Sequence, residues 1–164
     1  MKKREIIEFH YTALIPLTKG HFAFIDIEDI AIVNRLSWSV SDRGKLKYAR
    51  CYLNKKIVYL HRYLLDAPKG YDVDHINGDG LDNRRENLRL CTRSQNIANS
   101  RKLARGTSKY KGVCFDKEHR LWMARIKKDW KYIYLGRFAN EANAAKAYDK
   151  KAVEIFGEFA NTNF

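Results

Sequence analysis

An α+β fold is expected from three features of this 164-residue chain. Its first 65 residues hold short runs rich in β-branched and aromatic side chains. Residues 71–105 pass from strand to loop to strand to a capped helix. Residues 108–164 hold three strand patterns of period two, then one long helical pattern.

Each element follows from its local pattern. Ile6-Ile7, Ala13 to Leu17, Phe22 to Ile25, Trp38 to Val40, Tyr48 to Leu53 and Lys56 to Leu60 are short and separated by Gly, Asp or Asn, which marks strands. Asp42-Arg43-Gly44-Lys45 and Leu53-Asn54-Lys55 read as hairpin turns. This part is expected to be a scaffold, with Lys45, Lys47 and Arg50 as additional cations for a polyanion. Tyr71 to Ile76 alternates like a strand, Asn77-Gly78-Asp79-Gly80 is a dense turn signal, and Asn87 to Cys91 is a second short strand. Thr92 with Gln95 three residues on forms a capping box, so a helix should begin there and carry Asn96 in its first turn. Ser100 to Ser108 reads as helix end plus linker.

In the last segment the strands are Tyr110 to Phe115, Leu121 to Lys127 and Tyr132 to Phe138. Trp122, Ala124 and Ile126 share one face of the second strand, and Met123, Arg125 and Lys127 share the other. In the third, Ile133 and Leu135 oppose Tyr132 and Tyr134. One face of the sheet is therefore apolar, and the other carries cations beside aromatics. Asn140 is a cap for the final helix, whose Ala144, Tyr148, Ala152 and Ile155 recur at helical spacing and would cover the apolar face; Gly157 ends the run.

Composition narrows the function. Hydrophobic residues make up 45% and aromatics 13%, enough for a packed core. No apolar run approaches the ~18 residues of a membrane span. The opening Met1-Lys2-Lys3-Arg4-Glu5 lacks the apolar stretch of a secretory signal. Cys51, Cys91 and Cys114 are odd in number and far apart, which argues against a disulfide framework or a cysteine-built zinc site and predicts an intracellular, cytoplasmic protein. Thirty-two Lys and Arg against 19 acids leave a net charge of +13, which favours nucleic acid as partner over a membrane surface. Residues 1–83 carry only +2 of it, residues 84–107 carry +6 and residues 108–164 carry +5, so the basic excess starts at Arg84.

One cluster has the residue types for phosphodiester chemistry. His75 lies 12 residues before Asn87, and Asn96 comes nine further on. Hydrolysis needs a base for water, and imidazole is the side chain suited to be a neutral base near pH 7. Asp74 and Asn96 offer hard oxygen ligands for Mg²⁺, which accepts few protein ligands and keeps several waters. Consecutive on one strand, Asp74 and His75 point to opposite faces unless the strand twists or bulges. An EF-hand starting at Asp72 fails on spacing, since its twelfth position is Asn83 rather than Glu.

The run from Asp74-His75-Ile76-Asn77-Gly78 through Asn83-Arg84-Arg85-Glu86-Asn87-Leu88 to Thr92-Arg93-Ser94-Gln95-Asn96 strongly resembles the HNH endonucleases of the homing branch, over about 35 residues. The resemblance implies a ββα-metal unit, with Asp74 and Asn96 as ligands of one divalent ion, His75 activating the attacking water, and Asn87 bracing the loop and orienting His75. Asn96 stands where many members have a third His, which favours Mg²⁺, or Mn²⁺, over Zn²⁺ or Ni²⁺. No organic cofactor is implied. Cleavage would leave 5′-phosphate and 3′-hydroxyl ends, in a bacterial or phage-infected cell, by a monomer that nicks or a homodimer.

Tyr110-Lys111-Gly112-Val113, Trp122 to Ile126, Tyr134-Leu135-Gly136-Arg137-Phe138, Ala144 to Asp149 and Asn161-Thr162-Asn163-Phe164 look like the APETALA-type (ethylene-response-factor) DNA-binding domain. The plant members' Arg-rich first strand is replaced by Cys114-Phe115-Asp116, so their target sequence does not carry over. The resemblance implies that Lys111, Arg125, Lys127, Tyr132, Tyr134 and Arg137 read the major groove of double-stranded DNA. Arg84, Arg85, Arg93 and Arg101 of the basic stretch are expected at phosphates. The expected organisation is then a domain over 1–105, β-rich and leading into a ββα-metal core at about 71–105, and a second over 108–164, a three-stranded antiparallel sheet covered by one helix. The expected function is a metal-dependent DNA endonuclease. The competing readings are a non-enzymatic DNA-binding regulator on a degenerate HNH fold, which Asn96 in place of His keeps open, and a basic RNA-binding protein, which only the charge favours.

Overall fold

The computed structural model describes residues 6–43, 46–102 and 106–164. Met1 to Glu5, the Gly44-Lys45 part of the first expected hairpin turn, and Leu103 to Arg105 of the expected linker lie outside the described residues. The chain forms two compact units that divide between Cys91 and Thr92. The architecture is α+β, with small antiparallel sheets in both.

In the first unit, β1 (Ile7–Phe9), β2 (Thr12–Pro16) and β3 (Phe22–Asp26) form one antiparallel sheet. Burial alternates along β2 and β3, where Ala13, Ile15, Ala23 and Ile25 face the core, as a period of two requires. A short helix α1 (Ile30–Val33) follows. A second sheet has the order β4 (Ser39–Arg43), β5 (Leu46–Leu53), β6 (Lys56–Tyr59). Asn54 and Lys55 both take positive φ, 48° and 61°, in the two-residue turn between β5 and β6. Leu60, expected to end a strand, instead opens helix α2 (Leu60–Leu64). Neither α1 nor α2 is long enough to show a helical period, so both read as strand or loop in the sequence. β7 (Asp72–His75) pairs with β8 (Leu88–Cys91) in an isolated two-stranded ladder.

The loop between β7 and β8 is stitched to the scaffold. The backbone of Phe24 donates to Leu81 O at 2.8 Å and accepts from Asn83 N at 2.8 Å, so β3 gains a short parallel neighbour. Asp26 accepts from the Arg85 backbone at 2.7 Å, and the buried Asp29 carboxylate holds the Arg85 guanidinium at 2.7 and 3.1 Å. The N-terminal sheets therefore set the shape of the loop that carries the expected chemistry.

The second unit opens with helix α3 (Arg93–Asn99), capped by the reciprocal Thr92 and Gln95 bonds. Its sheet has β10 (Leu121–Lys128) between β9 (Val113–Asp116) and β11 (Lys131–Phe138), and helix α4 (Glu141–Phe156) packs on it. Asn140 caps α4 by accepting from Ala142 and Asn143, and Ala144, Ala145, Tyr148, Ala152 and Phe156 form its buried stripe. β9 begins later than the sequence suggests, because Lys111 is paired differently: its backbone N–H and C=O bond the Asn163 side chain at 2.7 and 3.2 Å. Asp149 in turn holds Asn163. Gly112 has φ +75°, and a Cβ there would lie 1.9 Å from the Tyr148 ring, so only glycine lets strand and helix approach this closely.

Helix α3 is built into this second unit. Ala98 shares a core with Ile126, Tyr148, Ala152 and Phe156. Asn161 donates to Ala98 O at 3.2 Å and Asn99 O at 2.9 Å, and the Lys111 ammonium bonds the carbonyls of Ala98 and Ser100. These bonds satisfy the helix's last carbonyls, which otherwise lack partners. No helix of the described residues is long and apolar enough to cross a membrane.

Candidate active site and nucleic-acid face

His75 ends β7 opposite Leu88, and Asp74 sits opposite Arg89. The pairing is regular, so the two side chains leave opposite faces, yet both are buried. Burial is the main force pushing the His75 imidazole below its ordinary value; the Asn83 side chain and the charges of Asp74, Asp79 and Asp82 pull the other way. A neutral ring near pH 7 can accept a proton.

Asn87 ties the two ends of the loop together. Its carbonyl accepts from Asn77 N at 2.9 Å, its amide donates to Asn77 Oδ1 at 3.1 Å and Asp82 O at 2.8 Å, and its backbone carbonyl accepts from Ile76 N at 2.9 Å. The two residues following His75 are thus both tied to Asn87. Asp82 is held in turn by Arg84 through a two-pronged contact at 2.8 Å, which lowers the Asp82 carboxyl and raises the Arg84 guanidinium.

Asp74 accepts from Arg89 Nε at 3.0 Å and Nη2 at 2.9 Å. Asn96 lies half-buried in the first turn of α3, its backbone bonded to the Thr92 carbonyl. One carboxylate and one amide carbonyl are the hard oxygen donors that Mg²⁺ accepts, since it keeps most of its waters. Among the described residues, the group of three acidic or imidazole ligands within reach of one another is Asp116, Glu118 and His119, on the rim of the second unit. Asp116 there is bonded to Arg137 at 2.8 Å and to His119, which holds its carboxyl down at about 2.

Several residues in contact with His75 and Asp74 lie outside the expected set. The His75 ring meets His61 edge-on, with centroids 5.0 Å apart, and Tyr48 at 5.9 Å. Nothing in the sequence places Tyr48 and His61 near His75, because both come from the preceding sheet and helix. Arg89 was legible in principle, as a cation directly across a hairpin from a carboxylate. His61 is buried, and that burial drives its imidazole down to about 3. Its contribution to stability is therefore complete above about pH 6.5, where neither state is protonated, and is lost as the pH falls toward 3. In that window the unfolded chain binds a proton that the folded chain refuses, so stability should drop by up to about 1.4 kcal/mol per pH unit. Urea unfolding at pH 7 and pH 5 measures the slope, and His61→Phe should flatten it; an unchanged slope would refute the assignment.

The expected nucleic-acid residues are not alike. Arg84 and Arg85 have their charges balanced inside the first unit by Asp82, Glu86 and Asp29. Lys47 and Arg50 are half-buried on β5. Arg93 and Arg101 are exposed in the second unit. Lys111 is turned onto backbone carbonyls, and burial brings its ammonium down to about 8. Arg125 and Arg137 stand exposed on the outer sheet face, Arg137 also paired with Asp116 at 2.8 Å. The Arg125 guanidinium lies 4.6 Å from the Tyr132 ring centre, and Lys127 lies over Trp130 at 4.7 Å and Tyr132 at 5.4 Å. Arg137 lies 5.8 Å from the Tyr134 ring. Tyr132, Tyr134 and Trp130 are more than half exposed. A bulge at Ala124/Arg125 lets Leu135 drop out of register, with Arg125 facing Tyr134 and Ala124 facing Gly136.

Residues 66–98 match the family model described as HNH endonuclease. An uncharacterized HNH endonuclease of Acanthamoeba polyphaga mimivirus is 33% identical over 159 residues, which cover 93% of this chain and 80% of the relative. The chain belongs to the HNH endonuclease family. It is also similar to plant transcription factors. An ethylene-responsive transcription factor of Arabidopsis thaliana is 32% identical over 142 residues, 80% of this chain and 33% of that relative. An APETALA2-like protein of Oryza sativa is 49% identical over 63 residues, 37% of this chain and 14% of that relative. The HNH chain thus spans a third or less of these plant proteins while spanning most of its viral relative.

Proposed function

We propose that this HNH protein is a metal-dependent endonuclease of the homing type that hydrolyses phosphodiester bonds in double-stranded DNA. The observation that carries the reading is a buried imidazole, kept neutral by its surroundings, on a loop clamped by the Asn87 and Asn77 amides. His75 accepts the proton of the attacking water. Asn87 holds the loop so that His75 keeps its place. Asp74 and Asn96 hold one Mg²⁺, or Mn²⁺, as oxygen ligands. That ion, when bound, stabilises charge on the phosphate and the departing 3′ oxygen. The products carry 5′-phosphate and 3′-hydroxyl ends. Conversion of supercoiled plasmid in Mg²⁺ but not in EDTA tests the reading; cleavage unaffected by EDTA, or none in Mg²⁺, would end it.

The second unit supplies affinity and sequence preference through its outer sheet face. Arg125 and Arg137 suit guanine edges, Lys127 and the exposed Arg93 and Arg101 suit phosphates, and Tyr132 and Tyr134 lie beside the cations. Arg84, Arg85 and Lys111 contribute through their contacts within the protein. Arg125→Ala should relax base preference at one position, at a cost of about 1–3 kcal/mol for the preferred base. Lys127→Ala should weaken all sequences alike and lower the salt slope by about one. Binding titrations on a randomised target library at two salt concentrations separate the two outcomes.

The second reading, a DNA-binding regulator without catalysis, is favoured by the hold of Arg89 on Asp74, since a guanidinium competes with a metal ion for the same carboxylate. The EDTA experiment decides between them.

A further inference from the structure

Three rings from the first unit cluster beside the expected base. His61, on α2, meets His75 edge-on at 5.0 Å with planes 83° apart. Tyr59 stacks behind His61 at 5.6 Å and 17°. Tyr48, on β5, touches His61 at 5.7 Å, Tyr59 at 6.0 Å and His75 at 5.9 Å. The Tyr48 ring is itself pressed by the catalytic loop: a Cβ on Gly80 would fall 2.4 Å from it and 2.3 Å from the Lys47 carbonyl. The loop and the ring cluster therefore fit only because position 80 has no side chain.

β7 fixes the His75 backbone, but the direction of its ring depends on what packs against it. A general base must bring one nitrogen within about 3 Å of the proton it takes. An edge-to-face partner restrains both the tilt and the rotation of a ring. His61 is also costly as packing alone, since its Nδ1 is buried without a hydrogen-bond partner. An apolar side chain would fill the same space without that penalty. Tyr48, Tyr59 and His61 all precede residue 66, where the match to the HNH family model begins.

We propose that His61, backed by Tyr59 and flanked by Tyr48, is a positioning residue that holds the His75 imidazole in its reactive orientation. The inference rests on the proposed nuclease reading. It makes the β5–α2 region part of the active site rather than a scaffold beside it.

The test compares His61→Phe with His61→Leu in the full chain. Both are apolar and remove the buried nitrogen, but only Phe keeps a flat ring for His75 to meet. Single-turnover cleavage at saturating protein should fall roughly 10- to 100-fold in His61→Leu and stay within about threefold of wild type in His61→Phe. The DNA dissociation constants of both should remain those of the wild type. Equal rates for Leu and wild type, equal losses in Leu and Phe, or losses matched by weaker DNA binding would each overturn the proposal. A readout without cleavage comes from the His75 ring signals in ¹³C-edited NMR spectra of the metal-free protein. They should remain a single sharp set in His61→Phe and broaden or split in His61→Leu, and identical spectra would also overturn it. If the wild type cleaves nothing, the nuclease reading fails, and the NMR comparison still decides whether His61 orients His75.

Discussion

Cleavage of supercoiled plasmid should fall about 10²- to 10⁴-fold in His75→Ala, the range expected when a general base is removed. DNA affinity should stay near the wild-type value, because the cations Arg125, Lys127 and Arg137 of the proposed DNA-binding face belong to the second unit and His75 to the first. The substitution removes a ring that is packed against Tyr48 and His61, so some stability is lost as well. Measuring cleavage well below the midpoint of thermal unfolding keeps the two effects apart. Wild-type rates in the mutant would remove His75 as the base. A parallel loss of binding would point to a folding defect instead.

Ending the chain after residue 107 should do more than remove the proposed DNA-binding surface. Read from the sequence, residues 1–105 look self-sufficient, and such a truncation would be expected to keep some nicking. The packing argues otherwise. Helix α3 has only seven residues, too few to persist in water unaided. Its buried Ala98 packs with Ile126, Tyr148 and Phe156, and its last carbonyls are bonded by Lys111 and Asn161, all of which the truncation deletes. Amide exchange over Arg93–Asn99 should become fast, and with Asn96 no longer held, metal-dependent cleavage should vanish even at concentrations that restore DNA binding. Cleavage at the full-length rate by the truncated chain would show that α3 needs no sheet.

What could be read from the sequence was whatever is local. The Thr92 and Gln95 capping box spans four residues and formed as expected. The alternation of Met123, Arg125 and Lys127 against Trp122, Ala124 and Ile126 needs only the pleat of one strand, and the cations and tyrosines did come out on the exposed face. The Asp74-His75 strand and its partner at Leu88 also follow from short patterns. What could not be read depends on distant partners or on very short elements. Leu60-His61-Arg62-Tyr63-Leu64 makes barely more than one helical turn, so no period reveals it. Lys111 continues a strand pattern, but Asn163, 52 residues away, takes its backbone bonds instead. The rings of Tyr48 and His61 reach His75 only through the tertiary packing of three elements. Arg84 and Arg85 look like the start of a basic surface, and only the folded chain reveals the acids at 29 and 82 that neutralise them.

The division between Cys91 and Thr92 has a practical corollary for protein engineering. A chimera meant to retarget cleavage would ordinarily be spliced in the Ser100–Ser108 stretch, where the sequence looks like a tether. A graft there would pair the resident α3 with a foreign sheet lacking the counterparts of Lys111 and Asn161. The safer seam runs just ahead of Thr92, so that a transplanted second unit arrives with its own copy of the helix and of the asparagine it carries.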